Sequence, residues 1–328
     1  MVGDPVEGST SATIDEPPVD APSRRARPLP ARVRPSEVAA RRGDTREGLA
    51  WLGHPPQTRA TLLVRLMAAF GRFLAFGVFR FQARIEGREH VPGEGGYIVM
   101  AAAHRGWMDP LLVVHALPLT PRVWFLGGGA AAFSSRWKEI LLRRLGGILP
   151  VWRGGVGIDS HVVAARAVLE HGGVFAQMPE GTVSGPPGRV GTFRVGASLI
   201  VLRTGARVLP IAIAGTEELY VGKRMAVRIM EPVTITDLLG SGWDGVRPEP
   251  GTRPELDLAR RISDAMQARL TPVVEDLQPW TVDPPEHPRH LRDRLTWLLL
   301  TRGPLDRADV PPSRPPAPPD DPVAPTGG

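Results

Sequence analysis

His104 and Asp109 stand five positions apart in AAAHRGWMDPLL, residues 101–112, directly after an apolar run. The run reads as a buried strand. Pro110 and Leu111 read as a helix start, because proline suits the first helical position, where its missing N–H costs nothing. A histidine leaving a strand and a carboxylate at the next helix start can converge in one loop, as a general base and the group that orients it. A plainer reading of the same residues makes Asp109 a helix N-cap and His104 an ordinary loop histidine. Downstream, GGILPVWR at 146–153 ends in Arg153, and MPEGTVSG at 178–185 contains Glu180, Gly181 and Thr182. These offer a cation, a carboxylate, a permissive backbone position and a hydroxyl. Arg153 and Glu180 also have plain readings, as a solvated loop cation and a turn residue.

The elements around these residues alternate. The pattern predicts strands over 84–87, 97–102, 123–126, 174–178, 208–214 and 226–230. It predicts helices over 111–117, 134–145, 158–170, 193–203 and 256–277. Strands alternating with helices of ten to fifteen residues imply a single α/β domain with a largely parallel sheet flanked by helices. Ligands in such folds sit at the carboxyl ends of the strands, and both His104 and Glu180 follow strand ends.

Ahead of this domain, residues 60–82 read ATLLVRLMAAFGRFLAFGVFRFQ. The segment is long enough to cross a bilayer, so its arginines decide. Its twelve large apolar side chains would favour insertion by roughly 4–7 kcal/mol, and Arg65 and Arg72 would oppose it by about 5–7 if central. Spanning is therefore not favoured. On a continuous helix Arg65, Arg72 and Arg80 fall on one side and leave a broad Leu/Phe face, the pattern of an amphipathic helix lying in a membrane interface. The alternative is a core helix with one basic edge.

Residues 1–48 are Pro-, Arg- and Ser-rich without an apolar period, and read as a disordered arm whose second half is basic. The opening lacks a cationic n-region followed by an apolar h-region, so it does not read as a secretory signal. A single folded domain is expected over 49–280, and 281–328 is a proline-rich tail containing a short amphipathic stretch at 290–302.

Composition narrows the function classes. The 328 residues are 42% hydrophobic, enough for a sizeable core, and contain no cysteine. Disulfides, thiolate catalysis and Cys-ligated metals are thereby excluded. The net charge of +6 comes almost wholly from arginine, since Lys138 and Lys223 are the only lysines. Such a basic excess points to an anionic partner, either nucleic acid or a lipid surface. No stretch combines aromatic stacking positions with a basic groove, so nucleic acid is the poorer reading. There is no Walker loop, dinucleotide fingerprint or G-x-S-x-G elbow.

Four blocks stand in order: AHRGWMDP at 103–110, GGILPVWR at 146–153, MPEGTVSG at 178–185 and VLPIAIAG at 208–215. The chain resembles the glycerolipid acyltransferase family with the H-x4-D motif, which contains the bacterial 1-acyl-sn-glycerol-3-phosphate acyltransferases. The resemblance runs over about residues 60–235. It implies a glycerol-phosphate-acyltransferase-like fold, with His104 as base and Asp109 as its orienter. It implies Arg153, Glu180, Gly181 and Thr182 as acceptor-binding residues. It also implies acyl transfer from acyl-CoA or acyl-carrier protein to a lysophospholipid hydroxyl, by default giving phosphatidic acid. The donor is a co-substrate, no cofactor or metal is implied, and the partners are membrane lipids at the cytoplasmic face of a bacterial cell membrane.

Two departures stand out. Val183 occupies the position where the family usually has arginine, and Ala103 the position where asparagine often precedes the histidine. Arg189 and Arg194, the latter beside a helix N-terminus that can itself attract an anion, are the candidates to compensate for Val183. The alternatives are the same chemistry on a different lipid, glycolipid or alcohol acceptor, and a non-catalytic lipid-binding module.

Overall fold

The computed structural model describes residues 56–128, 147–151, 158–181, 188–217 and 219–282. The arm at 1–48, the helices expected over 134–145 and 290–302, and nearly all of the tail lie outside the described residues.

Among the described residues, seven strands form one sheet: β1 (Gln82–Glu86), β2 (Ile98–Ala102), β3 (Val123–Gly128), β4 (Ile148–Val151), β5 (Val174–Gln177), β6 (Val208–Ala214) and β7 (Arg224–Ile229). Their order is β1-β7-β6-β2-β5-β3-β4. Only the β6–β7 pair is antiparallel; the others are parallel. The helices are α1 (Leu62–Arg72), α2 (Met108–Ala116), α3 (Ile158–Glu170), α4 (Val195–Thr204), α5 (Ile235–Leu239) and α6 (Arg253–Thr281). The expected mixed α/β layer with helices on its faces is what forms.

Strand alternation sorts the core into two layers. Ile98, Met100 and Ala102 of β2 face α3, α4 and α6, joining Val168, Ile200, Ile262 and Leu270. Val99 and Ala101 face the other way, toward Met108, Leu112 and Val113 of α2. Because both faces are covered, β2 and β6 are buried along their whole lengths, which explains their uninterrupted apolar sequences. β2 is flanked by β6 and β5 at the centre of the sheet. Its neighbour β5 runs parallel in the register Met100↔Gln177. His104 and Glu180 therefore emerge side by side from one edge of the sheet.

The helix expected over 60–82 is not continuous. α1 ends at Arg72, the backbone widens into a π-helical turn over Phe73–Val78, and Arg80 adopts a positive φ of 53° before β1 begins. Phe79 N–H donates to Leu74 and Phe81 N–H to Ala75, both at spacings longer than an α-turn. The turn lets Phe76, Phe79 and Phe81 roll onto the α2 side of the sheet. Arg80 consequently lies outside the helix and does not extend the row of Arg65 and Arg72. No described helix is long and apolar enough to cross a membrane. Along α1 itself no residue is buried. Leu62, Leu66 and Phe70 are exposed, as is Phe73 just beyond it.

One buried ion pair fixes α4, whose first residues lie beside the site. Arg203, near its end, donates from Nε and Nη2 to the two carboxylate oxygens of Glu255 at 2.7 and 2.8 Å, and also pairs with Asp159. Glu255 is 1% exposed and also accepts from the Gly251 N–H. The Arg203 hydrogen bonds hold its carboxyl below the ordinary value of 4.5. That stabilisation is present above the unfolded pKa and is lost as pH falls through the depressed folded value. Glu255→Ala is expected to cost about 3 kcal/mol, because it leaves Nε and Nη2 of a largely buried guanidinium without their acceptors and only the exposed Asp159 on Nη1. Urea unfolding at neutral pH measures this; a loss near zero would mean that water replaces the carboxylate.

Candidate active site

The H-R-G-W-M-D loop turns back on itself around one oxygen atom. Asp109 is fully buried, and its Oδ2 accepts from three donors: the His104 ring Nδ1 at 2.8 Å, the Arg105 N–H at 2.6 Å and the Gly106 N–H at 2.8 Å. The N-cap reading and the expected helix start at Pro110 are both overturned. Asp109 is not the N-cap of α2, because the helix already begins at Met108 and Trp107 occupies the cap position. Pro110 is accordingly the third helical residue rather than the first. The carboxylate points backward, away from the helix's own amides, and gathers the loop that carries His104.

This arrangement determines the tautomer. An ionised carboxylate only accepts, so the proton on the imidazole belongs to Nδ1. Nε2 then carries a lone pair and is the basic atom. The His104 side chain is 19% exposed, enough for a substrate to reach it, while Asp109 is sealed from water. A buried carboxylate behind a partly open imidazole is suited to stabilise an imidazolium as it forms.

Glu180 lies on the other side of the histidine. It is 1% exposed, and its Oε1 accepts the His104 backbone N–H at 3.0 Å. Asp109 therefore holds the ring and Glu180 holds the main chain. Gly181 follows with φ of 68°, and a Cβ there would lie 2.8 Å from Arg194 Cδ. Its lack of a side chain makes room for Arg194, whose Nε donates to the Glu180 carbonyl at 3.1 Å. Arg194 also donates its backbone N–H to Pro179, so the N-terminal end of α4 is tied to the 178–181 turn. Arg189 reaches the site through its backbone: its carbonyl accepts from the Arg105 guanidinium. The structure thus brings together His104, Asp109, Glu180, Gly181 and Arg194, with Arg189 at the margin. Arg153, Thr182 and Val183 lie outside the described residues.

Arg105 was not among the residues singled out from the sequence. Its Nε and Nη1 are buried without a hydrogen-bond partner, one residue from the histidine. Unpartnered buried guanidinium groups are costly, and a bidentate anion satisfies them well. The available signal was its place inside the motif, between base and carboxylate.

Beside the loop lies an apolar cavity of about 320 Å³ between the α1–π segment and α2. Trp107 and Met108, three and four residues after His104, line it together with Phe76, Phe79, Leu112 and Met225.

The site therefore pairs a strand-end histidine, oriented by a buried carboxylate, with an apolar cavity lined by the residues that follow it in the chain, Trp107 and Met108. Residues 82–214 match the family described as Acyltransferase, and all four blocks fall within that segment to within its last residue. Among solved structures, the chain is similar to the crystal structure of the 1-acyl-sn-glycerophosphate (LPA) acyltransferase PlsC from Thermotoga maritima. The identity is 22%, the match covers 66% of this chain and 79% of that one, and the TM-score is 0.47. No curated protein matches the chain.

Proposed function

We propose that the protein transfers a fatty acyl group from a thioester, acyl-CoA or acyl-carrier protein, to the hydroxyl of a lysophospholipid, with 1-acyl-glycerol-3-phosphate as the default acceptor. The observation that carries this reading is the 2.8 Å contact between His104 Nδ1 and the buried Asp109, set within the segment that matches the Acyltransferase family. His104 Nε2 takes the acceptor hydroxyl proton as its oxygen attacks the thioester carbonyl carbon. The carbon–sulfur bond then breaks, and the imidazolium returns the proton to the departing thiolate. Asp109 stabilises the imidazolium between these steps. The apolar cavity beside Trp107 takes the acyl chain, which aligns donor and acceptor without a covalent acyl-enzyme.

The exposed face of α1 supports a peripheral position on the membrane. Leu62 is 73% exposed and Phe73 62%. A contiguous apolar surface of that kind marks a lipid or partner contact. Trp107 and Leu111 of the catalytic loop and α2 are exposed as well, so the site mouth and the lipid face can lie together.

Acceptor identity is the finer question. Val183 offers no charge where the family has arginine, which favours a second reading: the same chemistry on an acceptor without phosphate. Under the first reading Arg105 supplies the missing cation. The deciding experiment incubates the protein with labelled acyl-CoA and a panel of lysolipids, with and without phosphate. If Arg105 binds a phosphate, Arg105→Gln is expected to raise KM for the phosphorylated acceptor about tenfold or more, the cost of losing a charged hydrogen bond. It should leave KM for a phosphate-free acceptor nearly unchanged. Equal changes for both acceptors would remove Arg105 from phosphate recognition. Absence of transfer to every acceptor would favour the non-catalytic lipid-binding module.

A further inference from the structure

A second cavity, of about 520 Å³, lies between the end of α1, the turn at 88–93 and the far part of α2. Arg72, Arg88 and His115 line it, and Arg72 and His115 also line the apolar cavity, so the two spaces adjoin. His115 Nδ1 is buried without a hydrogen-bond partner, and its ring packs on Phe76 with centroids 4.4 Å apart. Neither guanidinium makes a side-chain hydrogen bond or ion pair among the described residues. Burial first, then the charges of Arg72 and Arg88, hold His115 below its ordinary pKa of 6.5. The local field is therefore positive: of the acids nearest Arg88 in sequence, Glu86 pairs with Arg84 and Arg228, Glu89 and Glu94 are exposed, and none lines the cavity.

We propose that Arg72, Arg88 and His115 form a site for the phosphate of an anionic membrane phospholipid, separate from the His104–Asp109 pair. His115 lies six residues beyond Asp109 on α2, which places it about 9 Å further along the helix axis. Two unpaired guanidinium groups supply charge and planar donors for phosphate oxygens, and the buried Nδ1–H supplies a third donor. The neighbouring surface determines the source of the phosphate. Arg72 ends a helix whose Leu62, Leu66 and Phe70 are exposed. A leaflet that receives that apolar face places its phosphates at the helix border, where both arginines are. The adjoining apolar space offers the lipid's chain somewhere to go.

The proposal rests on the peripheral membrane contact proposed above but not on acyl transfer, so it can be tested in a His104→Ala background. Sedimentation of the full chain is compared between vesicles of phosphatidylcholine alone and vesicles with one-fifth phosphatidylglycerol. A preference for the anionic vesicles is expected, and Arg72→Gln with Arg88→Gln should lower it roughly tenfold or more. Arg260→Gln with Arg261→Gln, removing equal charge from α6, should change it little. Basic residues elsewhere also attract anionic lipid, so the deciding arm is His115→Leu at pH 8, which leaves both arginine charges in place. It should lower the preference about threefold, as loss of one hydrogen bond predicts. An unchanged preference would mean diffuse charge only and would overturn the site. Glycerol 1-phosphate in solution supplies the same chemistry without a membrane. If it binds the protein as tightly as the vesicles do, and Arg88→Gln abolishes that binding, the ligand is a free phosphate and the lipid assignment fails. Failure to bind even phosphatidylcholine vesicles would instead overturn the membrane contact.

Discussion

Replacing His104 by alanine is expected to lower acyl transfer by about 10²–10⁴-fold, the contribution of a positioned general base. The imidazole is the basic group that Asp109 orients, and its open edge is the place where an acceptor hydroxyl can give up its proton. The loop should survive the change. The Asp109 carboxylate keeps its two backbone donors, Arg105 and Gly106, and the residue 104 N–H still reaches Glu180. Thermal unfolding of the variant should therefore track the wild type within a few degrees, so that lost activity cannot be ascribed to lost fold. The measurement is thiol release from acyl-CoA in the presence of a lysolipid acceptor. Full activity in a folded His104→Ala protein would falsify the proposed mechanism.

Asp109→Asn separates orientation from charge. An asparagine oxygen can still accept from the Arg105 and Gly106 amides, so the loop keeps most of its internal hydrogen bonds. The amide cannot supply the negative charge that stabilises an imidazolium, and it can leave the ring in the wrong tautomer. A fall in kcat of about 10²–10⁴-fold is expected, with little change in KM for either substrate, because the lost interaction strengthens only as the proton moves. If instead KM rises and kcat is kept, Asp109 serves to shape the acceptor pocket. Asp109→Ala differs in kind: it removes the acceptor of three donors at a fully buried position and should also destabilise the fold. The comparison of the two variants tells a chemical role from a structural one.

The departures from sequence expectation share one cause. Among the described residues, periodicity located the central buried strands and the long helices well, because both faces of the sheet are covered and the apolar runs report this directly. It failed at residues 73–81. Nothing in an apolar run reveals a π-turn, whose advantage is that Phe76, Phe79 and Phe81 reach the α2 layer. Glu180 was singled out by its motif, yet its buried contact with the His104 amide depends on β2 and β5 being neighbours. That pairing joins residues 76 positions apart. Arg105 escaped notice because an arginine in a loop reads as solvated until its burial is known.

By itself, the sequence determined the class of fold, the order of the four blocks, and the histidine and carboxylate that belong together, since residue types and short spacings are local properties. Only the tertiary structure decided what those groups face. Asp109 turns away from the helix it could have capped and gathers the His104 loop around a single oxygen. Glu180 is drawn from a distant turn to hold the histidine's main chain. Arg72, Arg88 and His115, from three separate elements, meet around one cavity. Such meetings depend on strand order and helix docking, which are set by burying apolar surface over the whole domain and leave no mark in any one segment.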